Sequence, residues 1–165
     1  MRPDFFYDSH KLGTMKLEHY LSKFNSFDEF EQKFSDEFLN DDCRVGDYLA
    51  DLLYKYDMKA SVVSNAAGQD PSYLGKIING KGAAAKNPKR DALIAFCLVM
   101  RTSLEELQQL LKYSGHQPLY VRRKRDVVIW YGIMKQESIQ TIDVNLIKRN
   151  LKPLLKDAKK CDCES

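Results

Sequence analysis

The side chains best suited to specific chemistry lie between Lys59 and Arg90. Ser72, Tyr73, Lys76 and Asn79 fall close together, and each carries a polar group that matches a base edge or a phosphate. A lysine donates to guanine O6 or N7, and a serine hydroxyl bonds either a base or a phosphate. A tyrosine offers a hydroxyl and a ring for a thymine methyl. Lys59, Lys81, Lys86 and Lys89 flank this group and are placed to meet phosphates. No comparable set supports catalysis. His10, His19 and His116 have no metal-ligand spacing, and no phosphate loop, GxGxxG or nucleophile elbow occurs. The expectation is a protein that is not an enzyme, with no cofactor and no metal.

Charge sharpens that focus. Residues 1–44 carry 6 Lys/Arg against 10 Asp/Glu, and residues 45–165 carry 20 against 13. The segment from Lys59 to Arg90 holds six basic residues and one acid, Asp70. A second basic run is Arg122-Arg123-Lys124-Arg125. Such local charge is either a footprint for a polyanion or a solvated surface. The net charge of +3 does not decide between them.

The chain of 165 residues is long enough for one hydrophobic core. No apolar run reaches the roughly 18 residues needed to span a bilayer, and no secretory leader pattern opens the sequence. The expected compartment is the cytoplasm. Cys43, Cys97, Cys161 and Cys163 then read as ordinary reduced thiols, since Cys161-x-Cys163 lacks the second pair of a zinc site.

Helical periodicity dominates. Leu17, Tyr20, Leu21 and Phe24 mark a first short helix. Ser26 and Glu29 fit a capping box ahead of a helix with Phe27, Phe30, Phe34 and Phe38 on one stripe. Further helices are expected over 45–56, 60–67, from Asp70-Pro71 to Asn79-Gly80, 88–101, from Ser103 to Ser114, 124–135 and 138–151. Gly82 to Pro88 reads as a loop and Lys152 onward as a polar tail. Asp70 is an N-cap with Pro71 at the first helical position, and Gly80 supplies a left-handed C-cap. The fold class is all-α, organised as an N-terminal arm with acidic Phe-striped helices (1–44), a central domain (45–115) and a C-terminal helical extension with tail (116–165).

Residues 60–79 have the form of two short helices joined through Gly68. Val63 and Ala67 on the first helix and Leu74 and Ile77 on the second have the spacing to seal one face. Ser64 is small enough for close crossing, and Gly68 tolerates positive φ. The second helix then presents Ser72, Tyr73, Lys76 and Asn79 outward, as a helix that enters a major groove must.

The stretch KASVVSNAAGQDPSYLGKIINGKGAAAKNPKRDALIAFCLVMRTSLEELQQLL, with VGDYLADLLYKYDM before it, resembles the phage-repressor-type helix-turn-helix family (Xre, Cro/C1-type). The resemblance covers about Val45 to Lys112. It implies a five-helix repressor-type domain carrying extra N-terminal and C-terminal helices, and operator binding as a homodimer. It also implies base reading by Ser72, Tyr73 and Lys76, with phosphate contacts by Lys59, Asn79, Lys81 and Lys86, to which Lys89 is added by its position. Gln69 and Asp70 depart from the family pattern, and Gly75 sits inside the second helix at a cost of about 1 kcal/mol relative to alanine. The expected partner is double-stranded DNA. The alternative is a protein-interaction module, antitoxin-like or adaptor, working through the N-terminal helices.

Overall fold

The computed structural model describes residues 14–35 and 44–155. They are helical, with no strand among the described residues. The chain divides after Cys43 into two compact units.

The first unit contains α1 (Thr14–Leu21) and α2 (Phe27–Phe34). Phe24, Phe30 and Phe34 form a ring cluster with centroids 4.9 to 5.8 Å apart. Tyr20 joins it at 5.4 Å from Phe34. The expected four-phenylalanine stripe is only partly internal. Phe30 and Phe34 are buried, whereas Phe27 is 61% exposed. Phe38 lies outside the described residues, as do Cys43, Cys161 and Cys163. Ser26 makes no capping bond, so the capping box expected with Glu29 does not form.

The second unit is built around α7 (Arg90–Met100), whose residues 92–98 are all buried. A helix apolar on every side must lie inside a fold. α4 (Ala60–Ala66), α8 (Leu104–Tyr113) and α10 (Ile139–Ile147) pack on it, while α3 (Val45–Lys55) packs on α8 and on α5 (Tyr73–Ile78), which in turn packs on α4. α9 (Lys124–Met134) packs on α8 and α10. Full burial of a side chain such as Phe96 or Leu93 contributes about 1.5–3 kcal/mol, and both are 0% exposed.

Two expectations about this unit are corrected. Residues Gly82–Lys86 form a short helix, α6, rather than a loop. Residues 152–155 are not a free polar tail, and the last helix ends short of the expected Leu151. Asp143 is buried and accepts from the backbone N–H of Leu154 at 2.6 Å and of Leu155 at 2.9 Å. Arg125 Nε donates to the Lys152 carbonyl at 2.8 Å, and Leu154 is buried. α10 accordingly stops at Ile147, and Asn150 takes a positive φ of 55° as the chain turns back.

A buried carboxylate joins α3 to α8. Ser103 and Glu106 form the expected capping box. Glu106 also accepts from Lys55 Nζ and from the Tyr56 hydroxyl, each at 2.6 Å. Burial works against its charge, but the bonds from Lys55, Tyr56 and the Ser103 N–H outweigh burial and hold the carboxyl below its ordinary range.

Candidate functional site

The turn between α4 and α5 is closed from both sides. Val63, Ala67, Leu74 and Ile77 are 0–2% exposed and seal the inner face, as their spacing requires. Gly68 has φ +67° and carries the chain through the turn. Ser64 does more than leave room. It is fully buried, and its hydroxyl oxygen accepts the Leu74 N–H at 3.0 Å. A donor in the first turn of α5, which has no partner within its own helix, is thereby satisfied by α4.

The helix expected to start at Pro71 with Asp70 as its N-cap instead starts at Tyr73 with Ser72 in the N-cap position, and Asp70, three residues ahead of Tyr73, folds its carboxylate back on Ser72 in the preceding turn. Its Oδ1 accepts the Ser72 N–H at 2.9 Å and also the Ser72 hydroxyl. Those two bonds, the hydroxyl first, hold the Asp70 carboxyl below its ordinary range. Gly80 follows α5 with φ +66° and ends it. On the opposite flank α3 approaches closely. A Cβ on Gly46 would lie 2.7 Å from the Ile77 carbonyl oxygen, so only glycine lets the backbones meet there.

Ser72, Lys76 and Asn79 lie at i, i+4 and i+7 and are exposed, on the face opposite Leu74 and Ile77. Gly75 borders that face, and nothing stands within 4 Å of where its Cβ would be. No described neighbour therefore compensates its helix cost. Tyr73 departs from expectation: it is half-buried, with its ring centroid 6.1 Å from Phe96. Its hydroxyl accepts the Lys89 N–H at 3.3 Å.

That last bond belongs to a clamp around residues 88–91, the entrance to α7. His116 Nε2 donates to the Pro88 carbonyl at 2.7 Å. Arg90 pairs with buried Asp126 at 3.2 Å, and Asp91 receives Arg125 at 2.9 and 3.1 Å. Each of four consecutive residues is held by a different side chain. Arg90 and Arg125 belonged to the two basic clusters read from sequence, and both serve as internal ties. Lys59, Lys76, Lys81, Lys86 and Lys89 are exposed, and none is in an ion pair among the described residues. Arg122, Arg123 and Lys124 are exposed as well.

Lys76, Asn79, Lys81 and Lys86 thus sit on α5, α6 and their junction, Lys89 beside Tyr73, and Lys59 at the start of α4. Ser64, Gly46, Arg90 and Arg125 are the residues that sequence reasoning did not place in these roles. A small polar residue nine positions before a helix start was the available signal for Ser64. Two acids at the start of neighbouring helices, Asp91 and Asp126, were the signal for the arginines.

Cys97 is buried, and desolvation pushes its thiol up to about 12, which leaves it unreactive as a nucleophile. No group of metal-ligating side chains occurs among the described residues. No described helix is long and apolar enough to cross a membrane. Neither a family model, nor a curated protein, nor a solved structure matches the chain.

Proposed function

We propose that residues 45–115 are a helix-turn-helix domain of the phage-repressor type, acting in the cytoplasm as a homodimeric, sequence-specific regulator of transcription. α4 is the supporting helix, and α5 reads double-stranded DNA from the major groove. The observation that carries this reading is the polar face of α5. Ser72, Lys76 and Asn79 point away from a sealed apolar side, bare backbone borders them at Gly75, and four further lysines that make no ion pair among the described residues, Lys59, Lys81, Lys86 and Lys89, lie on the flanking segments. A cation-rich rim of this kind neutralises phosphates, and those contacts set orientation while base contacts set sequence.

The hydrogen bonds refine the roles. The Ser72 proton is committed to Asp70, so its oxygen is left to accept from adenine N6 or cytosine N4. Lys76 donates to guanine O6 or N7. Tyr73 keeps its own hydroxyl proton and offers it from the edge of the face. Lys59, Asn79, Lys81, Lys86 and Lys89 meet phosphates. The test is selection from a random duplex pool at about 150 mM salt, with Lys76→Ala as the comparison. Enrichment of one motif that relaxes at a single position in the variant supports the reading. A pool that stays unenriched rejects it.

A second reading draws on the N-terminal unit. Leu21 and Phe27 are 50% and 61% exposed there, beside the aromatic cluster. A protein partner docking on those helices makes the chain an interaction module. Deleting residues 1–40 then abolishes partner capture, and capture that survives the deletion counts against it.

A further inference from the structure

We infer that Arg122, Arg123 and Lys124 form a second phosphate clamp, which holds the duplex backbone beside the groove that α5 enters. The inference rests on the reading of α5 given above. It adds a contact from the C-terminal extension, outside the stretch that resembles the repressor family. The three consecutive cations are exposed, and none enters an ion pair among the described residues. The acids nearest them in the chain and the fold are already spent. Asp126 is buried and takes Arg90 at 3.2 Å, and Asp91 takes Arg125 at 2.9 Å and Lys152 at 3.7 Å. Segments 88–91 and 122–126 hold six cations against two acids, and the four cations left over face solvent. Lys124 and the two arginines before it also stand at the start of α9, the end of a helix dipole where cations are disfavoured. The fold itself is opposed by these charges, and an external polyanion offsets them.

Two separate chains of contact tie this run to the leading end of α5. In the first, the Tyr73 hydroxyl accepts the Lys89 N–H at 3.3 Å, and the next residue, Arg90, reaches Asp126 in the first turn of α9. Asp126 also accepts the Tyr120 N–H at 3.1 Å, and the Arg123 N–H donates to the Tyr120 carbonyl at 3.0 Å. The turn that carries Arg122 and Arg123 is thus folded onto the same anchor. In the second, an added Cβ on Gly68 would lie 3.0 Å from Leu155 Cδ2, and Arg125 donates to the Lys152 carbonyl at 2.8 Å. Gly68 and Tyr73 bracket the N-terminal end of α5, the end that enters the groove in this docking mode. Lys81 and Lys86 lie beyond its other end. Cations past both ends of the reading helix suit a duplex, whose phosphate strands line both walls of a major groove about 12 Å wide. The backbone bearing the clamp is fixed by internal ion pairs before DNA arrives, which lowers the ordering cost of binding.

The test is fluorescence anisotropy over a salt series with the full chain, on a duplex enriched from the random pool and on an unrelated duplex of equal length. The natural protein is compared with Arg122→Gln/Arg123→Gln and with Arg101→Gln/Lys135→Gln. The second pair removes the same charge from exposed positions at the opposite ends of α7 and α9. The expected result is weaker binding of both duplexes by the first variant, with a salt slope smaller by about 2 for each bound chain. Its preferred motif stays the same, and the control pair matches the natural chain. In the natural chain, bound duplex should also shield Lys124 from an acetylating reagent and leave Lys135 reactive. An equal slope in all three proteins, or an equal loss in both variants, overturns the clamp and leaves the reading of α5 standing. A Lys124 that reacts alike with and without duplex overturns it as well. A slope reduced only in the first variant, without sequence preference in any of the three, supports the clamp and rejects base reading by α5. A natural chain that binds neither duplex overturns both.

Discussion

The Ser64 hydroxyl oxygen accepts the Leu74 N–H at 3.0 Å, with both residues fully buried. One atom of α4 thus fixes where α5 begins, and with it the direction of the Ser72, Lys76 and Asn79 face. Ser64→Ala removes the acceptor and leaves a buried donor without a partner. The expected loss is about 1–3 kcal/mol of stability, read from the midpoint of urea unfolding.

Gly46 and Gly75 make a matched pair of opposite sign. Gly46→Ala drives a methyl group against the Ile77 carbonyl and is expected to destabilise by about 1–3 kcal/mol. Gly75→Ala meets nothing among the described residues and improves helix propensity, so thermal unfolding should shift upward by the equivalent of about 1 kcal/mol. If α5 enters a groove, the same methyl lowers duplex affinity. A gain in both stability and affinity would show that Gly75 is not near DNA.

The lysines around α5 predict a salt dependence. Six phosphate contacts give a slope of log K against log salt near about −5. Replacing Lys81 or Lys86 by alanine should reduce that slope by about 1 on every duplex, whereas Lys76→Ala should change sequence preference. Fluorescence anisotropy over a salt series separates the two kinds of residue.

Glu106 predicts acid sensitivity. Its folded carboxyl titrates below its unfolded value of about 4.3, because the folded state holds it as the anion. The stabilisation is present above that value and is lost as pH falls through the folded one. Glu106→Gln should cost about 2 kcal/mol at neutral pH and flatten this acid limb of the stability curve. Tyr48 and Tyr56 act at the other end. Burial, with Glu106 alongside, raises both hydroxyls, so stability falls as pH rises above their unfolded value of about 10. Circular dichroism melts across pH should show both limbs in the natural protein.

Local rules were legible in the sequence where one residue satisfies its own neighbourhood. Gly68 and Gly80 both adopt positive φ, and the Ser103–Glu106 box forms. The same box pattern at Ser26 and Glu29 does not close. The difference is tertiary: Glu106 is buried and held by Lys55 and Tyr56, while Glu29 is exposed and no described residue holds it. Long-range pairing was illegible for the same reason. Nothing in the runs around Arg90 and Arg125 shows that Asp126 and Asp91 will meet them. Helical spacing put Tyr73 beside Ser72, but only packing on Phe96 decides that its ring turns inward. The outward placing of Ser72, Lys76 and Asn79 was readable, because Leu74 and Ile77 leave a helix of this length one free side.

Leu155 sits against the turn at Gly68, where an added Cβ would come within 3.0 Å of its Cδ2. The hairpin of α4 and α5 thus borrows a wall from residues made more than half a chain later. During synthesis the ribosome releases that hairpin early, but its packing stays unfinished until Asp143 has captured Leu154 and Leu155. A nascent chain halted at Ile147 would carry every residue proposed to touch DNA and still lack that wall.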